Sequence, residues 1–83
     1  APDLEAMVLV EDDAGLASGM ELLSKLRKAG FVADIIATGS KKKRYDKAVK
    51  QKPRAILRCN ETGYNGHSGD ELEPALAAFL DNH

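Results

Sequence analysis

Nine of the chain's twelve basic residues fall between Lys41 and Arg58, where a single acid, Asp46, opposes them. Nine cations less that acid make a local charge of +8 inside a chain whose net charge is -1. Segregated charge of this kind raises the local concentration of polyanions, nucleic acid included. The densest part is Lys41-Lys42-Lys43-Arg44, with Lys47 one turn further on, directly after Ser40, a residue type that starts helices. Free N–H groups at a helix start favour anions, and lysines placed there add phosphate contacts. The same cations oppose the helix dipole, so their placement costs intrinsic helix stability. The competing reading is a solvated polar face, neutralised in part by Asp12, Asp13 or the C-terminal acids.

Glu11-Asp12-Asp13 is the second candidate cluster. Adjacent carboxylates at a strand end can hold a hard divalent cation such as Mg²⁺, or they can cap a helix. Other chemistry is sparse. Cys59 has no base fixed near it in sequence, and a buried structural thiol is the commoner case. His67 and His83 lack metal-ligand spacing with Cys59, so neither zinc nor another metal is expected. Gly63, Gly66 and Gly69 form no phosphate-cradling motif. No nucleophile, base and oxyanion donor assemble, so no catalytic site and no cofactor are expected in these residues.

The elements that must position these groups follow from apolar periodicity. Ala6–Val10 reads as a strand buried on both faces. A helix follows, capped by Asp12 or Asp13, with apolar positions Leu16, Met20, Leu23 and Leu26 and a stop at Gly30. Residues 31–37 form the second strand. The turn Thr38-Gly39-Ser40 leads into a basic helix from Lys41 to about Gln51, whose narrow buried stripe is Tyr45, Ala48 and Val49. Pro53 closes it, and residues 54–59 form the third strand. Asn60 to Gly69 reads as a glycine-rich loop. Asp70-Glu71-Leu72-Glu73 reads as a capping box before a last helix carrying Leu72, Ala75, Leu76, Phe79 and Leu80.

Two helical crossovers between apolar strands imply a small three-layer α/β sandwich. Its sheet is mainly parallel, with core order 2-1-3 and helices on both faces. Ligands bind such sheets beyond the carboxyl ends of the strands, where Glu11–Asp13, Thr38–Ser40 and Cys59–Glu61 would converge. The 83 residues are expected to make one domain, 1–83. No apolar run approaches the ~20 residues of a membrane helix, and the opening Ala1-Pro2-Asp3 does not begin a secretory signal. One cysteine suits a reducing compartment, so a cytoplasmic location is expected. Four aromatics (Phe31, Tyr45, Tyr64, Phe79) are few for a protein that reads single strands by stacking.

Two resemblances bear on function. Val8-Leu9-Val10-Glu11-Asp12-Asp13 is similar to the opening of response-regulator receiver domains, but Cys59-Asn60 stands where receivers carry their phosphoaccepting Asp. More of the chain resembles the anticodon-binding domain of class II aminoacyl-tRNA synthetases, nearest the histidyl type. The similar segments are Val8-Leu9-Val10, Ala17-Ser18-Gly19-Met20, Lys25-Leu26-Arg27, Ala29-Gly30-Phe31, Gly39-Ser40-Lys41-Lys42, Ala55-Ile56-Leu57 and Glu61. The family opens its second helix with a Lys-Lys pair and carries Gly-Glu-x-Glu after the third strand. Here Arg58-Cys59 replaces that Gly-Glu, and the family's next two strands are shortened to Thr62–Gly69. The resemblance implies binding of tRNA or another RNA, with neighbouring domains in a larger parent. Lys41, Lys42, Lys43, Arg44 and Lys47 would contact phosphates, and Thr38, Gly39, Ser40, Asn60 and Glu61 would contact bases. The alternative is a protein-interaction or regulatory domain, such as a degenerate receiver, without RNA affinity.

Overall fold

The computed structural model describes residues 3–82, so the expectations about Ala1-Pro2 and His83 lie outside the described residues. The chain runs β1 (Ala6–Val10), a 3-10 turn (Asp13–Gly15), α1 (Leu16–Lys28), β2 (Ala33–Ile36) and α2 (Lys41–Lys50). It continues through β3 (Ala55–Asn60), β4 (Gly63–Ser68) and α3 (Pro74–Asp81). The sheet order is β2-β1-β3-β4, with β1 parallel to both β2 and β3 and β4 antiparallel to β3. The expected α/β sandwich and its 2-1-3 core are therefore present.

All five residues of β1 are buried, as a central strand covered on both faces requires. One face packs Ala6, Val8, Leu57 and Cys59 against Leu22, Leu23 and Leu26 of α1 and Leu76 and Leu80 of α3. Phe31 and Phe79 meet edge to face beside that cluster, their centroids 5.5 Å apart. The opposite face is smaller: Met7, Leu9, Ile36 and Ile56 packed on Ala48 of α2. A single helix covers that side of a four-stranded sheet, which leaves part of it open. Among the described residues no helix is long and apolar enough to cross a membrane.

Several local expectations are corrected. In α1 the inward positions are Gly19, Leu22, Leu23 and Leu26, while Leu16 and Met20 are about half exposed. At Gly19 the helix packs so near the sheet that an added Cβ would sit 2.5 Å from a methyl of Val10. A glycine contributes no apolar signal, so counting side chains rotates the stripe onto Leu16 and Met20. In α2 the inward residues are Arg44 and Ala48, and Tyr45 and Val49 face outward at 44% and 47% exposure. Residues 31, 32 and 37 fall outside the second strand.

The expected loop at 60–69 is mostly a strand. β4 pairs with β3, and the register shifts between Arg58 and Cys59 to absorb an extra residue. Gly63 and Gly66 take φ of 115° and 132°, conformations closed to most side chains, so the glycines permit the irregular pairing rather than break it. The expected capping box before α3 does not form. Glu73 is the N-cap and makes no capping bond. Its carboxylate accepts instead from Arg54 Nη1 at 2.7 Å, and the same guanidinium reaches Asp3.

Candidate nucleic-acid interface

Three segments meet at the carboxyl edge of the parallel strands, and Arg44 joins them. Its Nη1 donates to Val10 O (2.9 Å) at the end of β1, and its Nε to Gly39 O (2.8 Å) in the turn after β2. Its Nη2 donates to Asp13 Oδ1 (2.6 Å) in the 3-10 turn. The Arg44 side chain is 9% exposed, whereas that of Asp13 is 91% exposed. A buried guanidinium bound to two main-chain oxygens and one carboxylate is part of the scaffold, so the structure sets Arg44 apart from its lysine neighbours.

The lysines project outward. Ser40 caps α2, its Oγ accepting from Lys43 N at 3.3 Å. No acid occupies the first turn, and Lys41, Lys42 and Lys43 are all exposed. Among the described residues none of these three makes an ion pair. Lys47 reaches back to Thr38 O at 3.4 Å, which holds the turn Thr38-Gly39-Ser40 against the helix. Lys41 and Lys42 flank α2 on the side of the open sheet, while Lys43 and Lys47 lie on its other side by Gly39. Lys41, Lys42 and Lys43 surround the free N–H groups and the positive end of the helix dipole.

Asn60 and Glu61 lie elsewhere. Asn60 Oδ1 closes the β3–β4 turn by accepting from Thr62 N (2.9 Å) and Thr62 Oγ1 (2.7 Å). The main-chain oxygen of Asn60 accepts from Ser18 Oγ on α1. Glu61 lines a polar groove against α1 with Ser18, Glu21 and Lys25. The two halves of the base-contacting set inferred from sequence therefore sit against different helices.

A feature not foreseen in the sequence adjoins the lysines. The uncovered part of the sheet beside α2 forms a cleft of about 420 Å³ lined by Leu9, Glu11, Lys41, Lys42, Tyr45 and Arg58. That volume falls within the roughly 300–1,000 Å³ typical of ligand sites. Tyr45 lines it, and also lines a second cleft of about 230 Å³ with Val49, Lys52 and Ile56. Arg58 is held over β4 because Gly66 has no side chain; a Cβ there would lie 2.8 Å from Arg58 Nη2. The buried Nε of Arg58 has no hydrogen-bond partner among the described residues. A buried donor left unpaired costs about 1–3 kcal/mol. The missed signal was alternation in β3, where Ile56 and Arg58 share the face opposite Leu57 and Cys59.

The three acids after β1 have separate partners. Glu11 Oε1 accepts from Asn65 Nδ2 (2.9 Å), Asp12 Oδ1 from Gly15 N (3.0 Å), and Asp13 from Arg44. Among the described residues no three His, Cys, Asp or Glu side chains converge as metal ligands. Cys59 is buried, and burial, then the Glu11 carboxylate, push its thiol up to about 11. At neutral pH it is a protonated core residue.

No family model matches the chain, and no solved structure does. A histidine–tRNA ligase from Novosphingobium aromaticivorans is 53% identical over 53 residues, which is 64% of this chain. The match spans 13% of that relative's length. Over nearly two thirds of its residues, the chain is therefore related in sequence to part of a histidine–tRNA ligase.

Proposed function

We propose that residues 1–83 form one RNA-binding, anticodon-binding-like module of a cytoplasmic class II aminoacyl-tRNA synthetase or synthetase-like protein, with tRNA as its partner. The observation that carries this reading is the row Lys41-Lys42-Lys43, exposed and outside any ion pair among the described residues, at the capped start of α2 beside an apolar cleft. Phosphates meet the lysines and helix N–H groups, while an unpaired base enters the cleft against Tyr45. The sequence relation to a histidine–tRNA ligase supports the same partner. Lys47 and the turn Thr38-Gly39-Ser40 complete the phosphate surface, and Arg44 holds that turn in place. Asn60 and Glu61, directed toward α1, are at most a separate contact.

Titration of the domain with tRNA at several salt concentrations tests this. Binding is expected to weaken linearly in log–log form, with a slope of about -0.7 per phosphate neutralised. Absence of binding at low salt, or binding indifferent to salt, would remove the reading.

A further inference from the structure

One face of the sheet is only half covered. α1 and α3 pack on the first face, whereas α2 alone lies on the second, mainly over β1 and β2. The strip over β3 and β4 beside it is open. Two strands about 4.8 Å apart make a strip roughly 10 Å wide, the diameter of one α-helix. The flank of α2 that borders this strip carries Tyr45 and Val49, one turn apart and 44% and 47% exposed. With Leu9 and Ile56 on the floor, they line the two clefts already described. Contiguous apolar surface in a slot of helical width marks an interaction site, which single exposed side chains do not.

The charges around the slot limit what can fill it. Lys41, Lys42 and Arg58 stand at one end and Lys52 at the other. Among the described residues no ion pair neutralises any of these four. Arg54 also borders the slot, but Asp3 and Glu73 neutralise it. Against these cations the described lining holds one acid, Glu11, which accepts from Asn65. A second copy of the chain would set the cations against themselves, because a two-fold interface presents the same patch from both sides. A single unpaired base fills only one of the two clefts.

We infer that the slot is a docking site for an acidic amphipathic helix of a partner protein, and that the docked helix excludes RNA. The exclusion rests on the RNA-binding reading above; the docking does not. The partner helix lies alongside α2, its apolar stripe against Tyr45, Val49 and Ile56. Acids at its two ends face Lys41 and Lys42 on one side and Lys52 on the other. The rise from Lys42 to Lys52 is about 15 Å, so three turns of partner helix span the charges. Lys41 and Lys42 serve both ligands, so helix and RNA cannot be bound together.

The test uses two synthetic helical peptides of about four turns with the same leucine stripe, one carrying Glu at both ends and the other Lys. Each is titrated against the chain at low salt without RNA. The Glu peptide should bind about tenfold tighter than the Lys peptide or better. Val49→Asn should weaken the Glu peptide about tenfold. That half-exposed position leaves the fold and tRNA binding at the parent's level. Glu peptide at roughly ten times its Kd should weaken tRNA binding about tenfold by mass action. Equal binding of the two peptides, binding of neither, or a Glu peptide indifferent to Val49→Asn would overturn the docking site while leaving tRNA binding intact. Peptide and tRNA bound together without loss of either would overturn the exclusion. Failure of tRNA to bind at low salt, beside a Glu peptide that binds and responds to Val49→Asn, would overturn the RNA reading and support the docking site.

Discussion

Changing Lys41, Lys42 and Lys43 together to Gln is expected to weaken tRNA binding on the order of 10²-fold near 50 mM salt. The salt slope should fall by about two units, since each single-strand phosphate contact contributes roughly 0.7. Affinity lost in this way comes from counterions no longer released, so the relative preference among RNA sequences should survive. The variant should melt no lower than the parent, because cations at the start of α2 oppose its dipole and their removal relieves that cost. Weaker binding without thermal destabilisation separates a lost contact from a lost fold. An unchanged slope would place the phosphate surface away from α2.

Arg44→Met should have the opposite profile: a large loss of stability and no change in salt slope. Methionine keeps much of the aliphatic stem but leaves the main-chain acceptors at Val10 and Gly39 without their donor. Losing bonds from a buried charged donor costs about 2–3 kcal/mol. In a domain of this size each kcal/mol shifts the melting temperature by about 4–8 °C, so a fall of roughly 10–20 °C is expected in a circular-dichroism melt. Asp13→Asn should cost no more than about 1 kcal/mol, because that carboxylate is 91% exposed and solvent screens the pair. A melt of Arg44→Met within a few degrees of the parent would show that Arg44 does not fasten the three segments.

These contrasting roles bear on how far the sequence discloses the site. Periodicity located every helix and the three parallel strands, because a fully apolar run such as Ala6–Val10 and the stripe Leu76, Phe79, Leu80 each have one reasonable packing, although Leu72, expected in the last helix, packs on the core from the segment before it. The position of Lys41, Lys42 and Lys43 at a helix start was equally legible, since Ser40 is a strong cap and Gly39 a turn residue. Arg44 was not, because a charged residue in a basic run carries no mark of burial; only the packed structure shows three acceptors converging on it. Tyr45 erred in the other direction, since aromatics are read as core unless the opposing surface is known to be missing. The cleft it lines exists because one helix covers a four-stranded sheet, and that mismatch depends on β4. Its glycines hid the strand, as positive-φ glycines usually mark turns rather than an irregular pairing. Gly19 misled in a related way: its packing role lies in what it lacks.

The acids after β1 show how the same residues can support different chemistry until their partners are known. Glu11, Asp12 and Asp13 are contiguous in sequence, yet their hydrogen bonds go to β4, to the 3-10 turn and to Arg44. Each serves a separate purpose, and Glu11 is the one of the three that lines the cleft beside α2.

The central claim, that RNA lies along α2 and the open face of β3 and β4, is tested most directly by mapping amide chemical shifts during titration with an unpaired RNA. The perturbed amides should belong to Thr38–Ser40, the first turn of α2, Tyr45, Arg58 and Gly66, with α1 and α3 silent. Shifts concentrated in the groove lined by Ser18, Glu21, Lys25 and Glu61, on the opposite face of the sheet, would contradict it.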